Sequence, residues 1–125
     1  MSIRRSDLER VLSNLVLNAR DAMADGGVLT IATSVRQLDY PMAEPLGRLA
    51  PGPYYSLVVE DNGVGMSEEV QRRLYEPFFT TKGARGTGLG LATCFGIVRH
   101  AGGAIVVRST PGEGSRFEVL LPALA

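Results

Sequence analysis

Several residue types are rare in this 125-residue sequence, and each scarcity excludes a class of protein. The one cysteine, Cys94, excludes an internal disulfide, and no Cys/His cluster has the spacing of a metal site. His100 is the only histidine, so nucleophilic catalysis by a Ser/His or Cys/His arrangement is poorly supported. No apolar run approaches the length of a membrane span, and no signal peptide precedes the first predicted helix. We therefore expect a cytoplasmic domain without membrane contact.

An excess of charge is also missing, because 13 basic residues balance 13 acidic ones. No overall field favours nucleic acid or an anionic membrane, so a function that involves an anion must depend on a local site. The length and the 45% hydrophobic content are ordinary for a globular domain. We expect residues 1–125 to form one domain, and a helix signal so near the first residue suggests excision from a longer chain.

Two familiar phosphate-binding motifs are absent. The P-loop pattern Gly-x4-Gly-Lys-Ser/Thr occurs nowhere in the sequence. The glycines between Gly86 and Gly90 follow a loop and not a strand, so they are not the dinucleotide fingerprint of a βαβ unit. Any phosphate site must therefore be built in another way.

Hydrophobic periodicity predicts an α+β fold. The first helix, about Asp7 to Ala24, has apolar residues at i, i+3, i+4 and i+7 after a capping box at Ser6–Glu9. The proline-containing segment 37–53 has no sustained periodicity, and we interpret it as an irregular insertion without an assigned role. We expect a two-layer α/β sandwich, with a mixed, mostly antiparallel sheet and three helices packed on one face. The other predicted elements are strands at about 28–35, 54–61, 104–109 and 116–121 and helices at about 67–75 and 89–100.

A polar stripe lies beside the apolar face of the first predicted helix. Asn14, Asn18 and Asp21 are spaced i, i+4 and i+7, so they share one flank. Carboxamide oxygens in such a place can ligate Mg²⁺, which takes hard oxygen ligands and shares them with substrate phosphates. The alternative is a solvated helix flank, although Asn is a poor helix former. The spacing alone leaves both interpretations open.

Asp61 ends a predicted strand on the side that should be buried, since it shares the parity of Leu57 and Val59. A carboxylate that points inward is costly unless it is hydrogen-bonded. At the floor of an apolar pocket, such an acceptor can recognise an exocyclic amine. The alternative is an Asx-type turn, in which the side chain bonds its own backbone.

The stretch from Pro77 to Leu91 is rich in glycine and carries the chain's only lysine, Lys82, near Arg85. Glycine lets a backbone approach a ligand closely, and free N–H groups that lead into a helix bind anions. The pattern predicts a cationic, glycine-hinged loop that closes over phosphates. A flexible surface loop is the alternative.

Five segments in order resemble the ATP-binding catalytic domain of two-component sensor histidine kinases, which shares the Bergerat ATP-binding fold with DNA gyrase, a heat-shock chaperone and the mismatch-repair ATPases. Each segment alone is weak, but five in order with family-like spacing are strong. The match covers nearly the whole chain, from Asp7 to Pro122. The segments resemble an asparagine box (12–23), a first glycine box (61–66), a phenylalanine box (76–82), a second glycine box (86–91) and a closing turn (110–117).

The resemblance implies a protein histidine kinase that binds ATP and Mg²⁺. It would transfer the γ-phosphate to a histidine on a separate dimerisation and phosphoacceptor domain, with a response regulator downstream. By the same resemblance Asn18 is the Mg²⁺ ligand, Asn14 lies near the phosphates and Asp61 accepts from the adenine amino group. Gly65 gives close approach to the ring, and Ser115 supplies a hydroxyl near the base.

The resemblance also assigns the glycine-rich stretch as an ATP lid. Phe78 and Phe79 would anchor the lid, and Lys82 and Arg85 are possible catalytic cations that reach phosphate oxygens. The further implied ATP-binding residues are Asp21, Gly63, Met66, Thr80, Thr81, Gly86, Thr87, Gly88, Leu89 and Gly90.

The sequence departs from the family pattern at two important positions. In ATP-hydrolysing relatives a glutamate stands four residues before the Mg²⁺ asparagine, but this chain has Asn14, which cannot act as a general base. That favours phosphoryl transfer over hydrolysis and makes a serine-phosphorylating kinase of the anti-sigma type less expected. The acceptor histidine is missing, since His100 ends a helix, where an imidazole complements the dipole. An ATPase switch module and a non-catalytic nucleotide-sensing or docking module are the alternative functions.

Overall fold

The computed structural model describes residues 3–44, 47–74 and 90–123. In chain order these residues form α1 (Arg5–Ala22), β1 (Leu29–Leu38), β2 (Met42–Glu44), β3 (Gly47–Leu49), β4 (Gly52–Asp61), α2 (Glu68–Arg73), α3 (Gly90–His100), β5 (Ala104–Thr110) and β6 (Gly114–Pro122).

Four strands form the main sheet in the order β1-β4-β6-β5, and every neighbouring pair is antiparallel. The helices pack on one face of this sheet, where α1 lies against β4 and β6 and α3 lies against β5 and β6. The predicted α+β class is therefore confirmed. No helix in the described ranges combines the length and apolar character that are needed to cross a membrane.

The main core lies between this sheet and the helices. Helix α1 contributes the predicted apolar stripe, and its Val11, Leu15 and Ala19 are at most 2% exposed. Each successive turn of the helix buries one of these residues because they are spaced by four. Opposite them lie Cys94, Phe95, Val98, Val59, Phe117, Val119, Val107 and Ile105.

The start of α1 differs from the prediction. The helix begins at Arg5, its N-cap is Arg4 without a side-chain cap, and Ser6 lies within the first turn. Ile3 and Leu8 both pack against the main core, in the positions of a hydrophobic staple. Burial of these two side chains draws the helix start towards the N-terminus, so the predicted capping box is wrong. The helix ends at Ala22, two residues earlier than predicted.

The segment 37–53 is not irregular, and that prediction is wrong. Strands β1 and β4 extend into it, and β2 and β3 form an antiparallel hairpin between them. The hairpin covers the sheet face opposite the helices and completes a second apolar cluster. Strand β4 therefore has buried residues on both of its faces. The sequence analysis expected burial on one face only, as in a sheet with one solvent-exposed side. The buried members of this cluster are Leu38, Leu49, Tyr54, Ala104, Val106 and Leu120.

Strand β1 shows the opposite behaviour. Leu29, Ile31 and Val35 share one face, as predicted, but Ile31 is 48% exposed and Val35 is 69% exposed. β1 stands at the edge of the described sheet, and no substantial contact between α1 and β1 is found. The helix layer therefore covers the centre of the sheet and leaves this edge open.

Two predicted helix boundaries are confirmed. The Ser67 hydroxyl accepts a hydrogen bond from the Val70 N–H at 3.2 Å and caps α2. Helix α3 ends at His100, and Gly102 follows it with a φ of +83° that suits glycine, while the Gly103 N–H donates to the Val98 carbonyl at 2.9 Å. This pattern satisfies the last carbonyls of α3 and turns the chain directly into β5.

Candidate functional site

Three polar side chains form a row across one end of the sheet. Asp61 on β4 pairs in register with Ser115 on β6, which pairs with Ser109 on β5. Residues directly opposite each other on antiparallel strands point to the same face of the sheet. The next row of residues on this face belongs to the main core, on the helix side. Asp61 is 5% exposed and Ser115 is 6% exposed. The polar row is therefore a nearly buried floor at the edge of the main core.

The Asp61 carboxylate makes the Asx-turn contact that was one of the two interpretations of this residue. Its Oδ1 accepts from the Gly63 N–H at 2.9 Å, as in an Asx turn. This bond to Oδ1 is the hydrogen bond that the described residues give the carboxylate. Because an ionised carboxylate can accept several hydrogen bonds, the turn bond holds Asp61 in place and leaves capacity for a ligand. The two interpretations of Asp61 are thus compatible.

A hydrogen-bond cluster fixes the loop that follows Asp61. The Ser109 hydroxyl accepts from the Met66 N–H at 2.8 Å, donates to the Gly114 carbonyl at 2.9 Å and lies 2.8 Å from the Ser115 hydroxyl. Gln71 Nε2 donates to the Met66 carbonyl at 2.9 Å and to the Ser109 carbonyl at 3.1 Å. These contacts tie the loop, α2 and strand β5 together.

Glycine is required in this loop by the packing of the protein itself. Gly65 has a φ of +69°, and a Cβ there would overlap the Thr110 carbonyl oxygen of the β5–β6 turn. A Cβ at Gly63 would overlap the Ala22 carbonyl oxygen at the end of α1. The Val64 N–H donates to the same Ala22 carbonyl at 3.0 Å. The loop is therefore clamped between α1 and the turn, and close approach of a ligand to Gly65 stays a prediction.

The other part of the site lies along α1. Asn14 and Asn18 are half-buried, and neither Asn18 side-chain atom bonds another described residue. A Cβ on Gly90, the first residue of α3, would lie 3.8 Å from Asn14 Oδ1. The carboxamides thus follow α1 from the loop clamp to the N-terminus of α3. Asp21 is on the same flank, but its carboxylate lies 3.4 Å from the Arg20 guanidinium.

Cys94 does not qualify as a nucleophile. Its side chain is fully buried between α1 and α3, and burial raises the pKa of the thiol. A hydrogen bond from Asn14 and the charge of Arg10 only partly oppose that rise in pKa. A neutral, enclosed thiol is inert. Among the described residues, no group of three His, Cys, Asp or Glu residues can hold a metal ion.

The predicted lid lies outside the described residues. This applies to the proposed anchors and cations as well as to most of the second glycine box. The predicted site residues concerned are Phe78, Phe79, Thr80, Thr81, Lys82, Arg85, Gly86, Thr87, Gly88 and Leu89.

Three residues that hold the floor were not singled out from the sequence. Ser109 and Gln71 bind the loop at Met66, and Asn62 Oδ1 accepts from the Val28 N–H at 2.8 Å, which ties the entry of β1 to the same loop. A signal existed for Ser109, since it follows buried Val107 at strand parity and therefore points inward, as Asp61 does. No sequence pattern indicated the roles of Gln71 and Asn62.

The loop clamp leads to a first prediction. Gly65→Ala should lower the free energy of unfolding by about 2–5 kcal/mol, because the left-handed backbone and the overlap with Thr110 both cost energy. Gly112→Ala is the matched control, since Gly112 has a φ of +81° but open space around a Cβ. It should cost only about 1–2 kcal/mol. Urea unfolding measures both, and equal losses would contradict the packing role of Gly65.

Comparison with known proteins agrees with this geometry. Residues 3–125 match the family of histidine kinase-, DNA gyrase B-, and HSP90-like ATPases. Sensor kinase CckA of Brucella abortus (strain 2308) is 42% identical over 119 residues, which cover 93% of this chain and 12% of that protein. Sporulation kinase E of Bacillus subtilis (strain 168) is 34% identical over 117 residues, which cover 94% of this chain and 14% of that protein.

Solved structures lead to the same family. The nucleotide-free catalytic domain of histidine kinase ThkA is 30% identical with a TM-score of 0.71, and the match covers 96% of this chain and 69% of that one. Full-length ShkA in complex with AMPPNP is 27% identical with a TM-score of 0.70, over 95% of this chain and 22% of that one. The chain spans only 12 to 14% of the length of the two curated relatives above. It belongs to the histidine kinase-, DNA gyrase B-, and HSP90-like ATPase family, as an ATP-binding catalytic domain of the sensor histidine kinase type.

Proposed function

We propose that this chain is the catalytic domain of a longer sensor histidine kinase, in which it binds Mg-ATP and presents the γ-phosphate to a histidine on another domain. The observation that carries the proposal is the nearly buried Asp61, held by its turn bond with acceptor capacity to spare, at one end of the flank that carries Asn18 and Asn14. One end of the site recognises a base, and the other faces phosphates.

The base end acts through Asp61. Its carboxylate accepts from the exocyclic amine of adenine, and the bond to the Gly63 N–H keeps the acceptor oriented before the ligand arrives. Ser115, beside it in register, adds a hydroxyl at the same floor. The apolar core directly behind this row excludes water and strengthens the polar contacts.

The spacing of the two ends suits an extended nucleoside triphosphate. Ala22 touches the loop after Asp61, and Asn14 lies beside the first residue of α3. Asn14 and Ala22 are eight positions apart, which corresponds to about 12 Å along α1. The N-terminus of α3 carries a partial positive charge that favours an anion near Asn14. We also propose a lid that closes over the phosphates. It would consist of Thr80, Thr81, Lys82, Arg85 and the glycines from Gly86 to Gly90.

The residues present also fit Mg²⁺. Asn18 and Asn14 offer half-buried carboxamide oxygens, and Mg²⁺ is commonly held by one or two protein oxygens together with phosphates and water. When bound, Mg²⁺ would supply charge neutralisation for the phosphates. Asn18 is the proposed ligand, and Asn14 and Asp21 line the same flank. The described site has no carboxylate cluster that would hold the ion without a nucleotide.

The chain's own groups favour transfer over hydrolysis. Asn14 stands where ATP-hydrolysing relatives have a glutamate, and a carboxamide cannot take a proton from water. Catalysis would then depend on positioning and on charge stabilisation. His100 is a poor acceptor, because it ends the 11-residue helix that Gly90 begins, roughly 15 Å along α3. The acceptor histidine is therefore expected on a separate helical dimerisation domain, with a response regulator as the next partner and the cytoplasm as the location.

Asp61→Asn tests the base end. The amide keeps an oxygen for the Gly63 N–H but loses the charge, so ATP should bind about tenfold to hundredfold more weakly, or roughly 1.5–3 kcal/mol. Glu60→Gln is the control, because Glu60 is an exposed neighbour on the opposite face of β4. This variant should bind ATP as tightly as the wild type does. Isothermal calorimetry measures both. Unchanged binding by Asp61→Asn would refute the adenine assignment.

Asn18→Ala tests the metal ligand. Wild type should bind ATP more tightly with Mg²⁺ than with a chelator, and the variant should lose most of that difference. We expect its affinity for ATP in the presence of Mg²⁺ to fall at least about tenfold. Ser13→Ala, at an exposed position of the same helix, should keep it. Titration of each protein with ATP in both conditions gives the comparison. Equal affinity of the wild type with and without Mg²⁺ would argue against this role.

Phosphotransfer distinguishes the functional classes. The domain is mixed with the phosphoacceptor domain of the same protein and with ATP labelled at the γ-phosphate. We expect acid-labile label on the acceptor and little release of free phosphate. Clear multiple-turnover hydrolysis without labelled acceptor would instead indicate an ATPase switch. ATP binding without either product would indicate a nucleotide-sensing module.

A further inference from the structure

The Ser109 hydroxyl has three hydrogen-bond partners, and only one orientation of its proton can satisfy all of them. It lies 2.8 Å from the Met66 nitrogen, 2.9 Å from the Gly114 carbonyl oxygen and 2.8 Å from the Ser115 hydroxyl. A serine hydroxyl has one proton to donate and two lone pairs to accept with. These three contacts therefore use its full capacity.

The chemistry of the partners decides the direction of each bond. The Gly114 carbonyl can only accept, so the Ser109 proton points to it. The Met66 N–H can only donate, so it takes one lone pair of Ser109. The Ser115 hydroxyl must then donate its proton to the remaining lone pair. This is the one arrangement that satisfies all three contacts at once.

The consequence falls on the base end of the site. Because the Ser115 proton is committed to Ser109, Ser115 offers only lone pairs to a ligand. Asp61, its register partner, is also an acceptor without a proton to donate. The floor therefore presents acceptors and no hydroxyl donor, and it requires donors from the ligand or from a bridging water.

We propose that Ser109 is a positioning residue that sets the purine selectivity of this site by fixing the direction of the Ser115 hydroxyl. The discrimination acts at position 6, where a 6-amino purine offers N–H donors to the floor and a 6-oxo purine offers an acceptor. The neighbouring N1 changes in the opposite sense, from an acceptor to an N–H donor, so the argument applies to the floor groups that face position 6. An acceptor that faces acceptors leaves lone pairs unpaired, which is how polar sites reject near-identical ligands. The inference depends on the proposed function, because it takes the floor to be the base end of an ATP site.

The test compares the dissociation constants of ATP and inosine triphosphate, which carries a 6-oxo group in place of the 6-amino group. Wild type should prefer ATP. Ser109→Ala frees the Ser115 hydroxyl to turn and donate, so the preference for ATP should fall about three- to tenfold. Ser109→Thr restores a hydroxyl at a strand position that tolerates β-branched residues, and it should recover the preference.

Gln71→Ala separates this role from a general loosening of the loop. Gln71 holds the same loop through the Met66 and Ser109 carbonyls but does not touch the hydroxyl pair. Its loss should reduce thermal stability, as Ser109→Ala should, without changing the ratio of the two dissociation constants. If Ser109 had only a structural role, Ser109→Ala and Gln71→Ala would show the same ratio of the dissociation constants of ATP and inosine triphosphate.

Ser115→Ala keeps the inference testable if Ser109→Ala folds poorly, since it leaves the Ser109 contacts to Met66 and Gly114 in place. It should lower the preference for ATP by itself, and adding Ser109→Ala should change the ratio no further. An unchanged ratio in both single variants would overturn the inference while ATP binding by wild type stands. Failure of wild type to bind ATP at all would overturn the proposed function and this inference with it.

Discussion

The clamped loop from Asn62 to Met66 is the constraint on which the site depends. Its backbone bonds to the end of α1 through Val64 and to the β5–β6 turn through the Gly112 N–H, which donates to the Val64 carbonyl at 2.8 Å. Neither side leaves room for a side chain at Gly63 or Gly65. Because helix, sheet and turn all meet at this loop, the position of Asp61 relative to α1 is set by backbone contacts. Side-chain motion alone cannot shift it.

The hairpin side of the sheet supports that arrangement from behind. Glu118 on β6 is 3% exposed, accepts from the Ser56 hydroxyl at 2.6 Å and pairs with Arg36 of β1. A buried charge must be paired and hydrogen-bonded, because leaving it alone costs several kcal/mol. Glu118 therefore links the edge strand β1 to the centre of the sheet, and the apolar cluster under β2 and β3 encloses it. The floor of the site lies on a sheet that is packed on both faces over most of its width.

The same architecture explains which chemistry the domain can perform. Its described polar groups orient, accept hydrogen bonds and offer amide oxygens, and the carboxamide of Asn14 cannot act as a general base. The one thiol is buried and neutral, and the one histidine ends α3 away from the flank of α1. Under the function proposed above, such a site holds a nucleotide in a defined pose and depends on an acceptor group from elsewhere. That is consistent with a domain type that forms a small part of much longer kinases.

Local sequence was sufficient wherever a short-range rule acts alone. The spacing of Val11, Leu15 and Ala19 predicts the buried face of α1, and the cap at Ser67 follows from a single side-chain contact. Ordered motifs were sufficient to identify the family, since each motif keeps its residue types and spacing. The start of α1 was missed because a capping box competes with burial of Ile3, and only the packed core decides that competition.

What the sequence alone determined was the set of elements and the candidate residues, because periodicity and motif spacing are properties of neighbouring positions. Tertiary structure decided the rest. The segment 37–53 became a covering hairpin because the far face of the sheet needed burial. Asp61 has a local turn bond to the Gly63 N–H, but only the pairing of β4 with β6 places Ser115 beside it. The contact between the Ser115 and Ser109 hydroxyls joins residues that are six positions apart on two strands and meet only across the sheet.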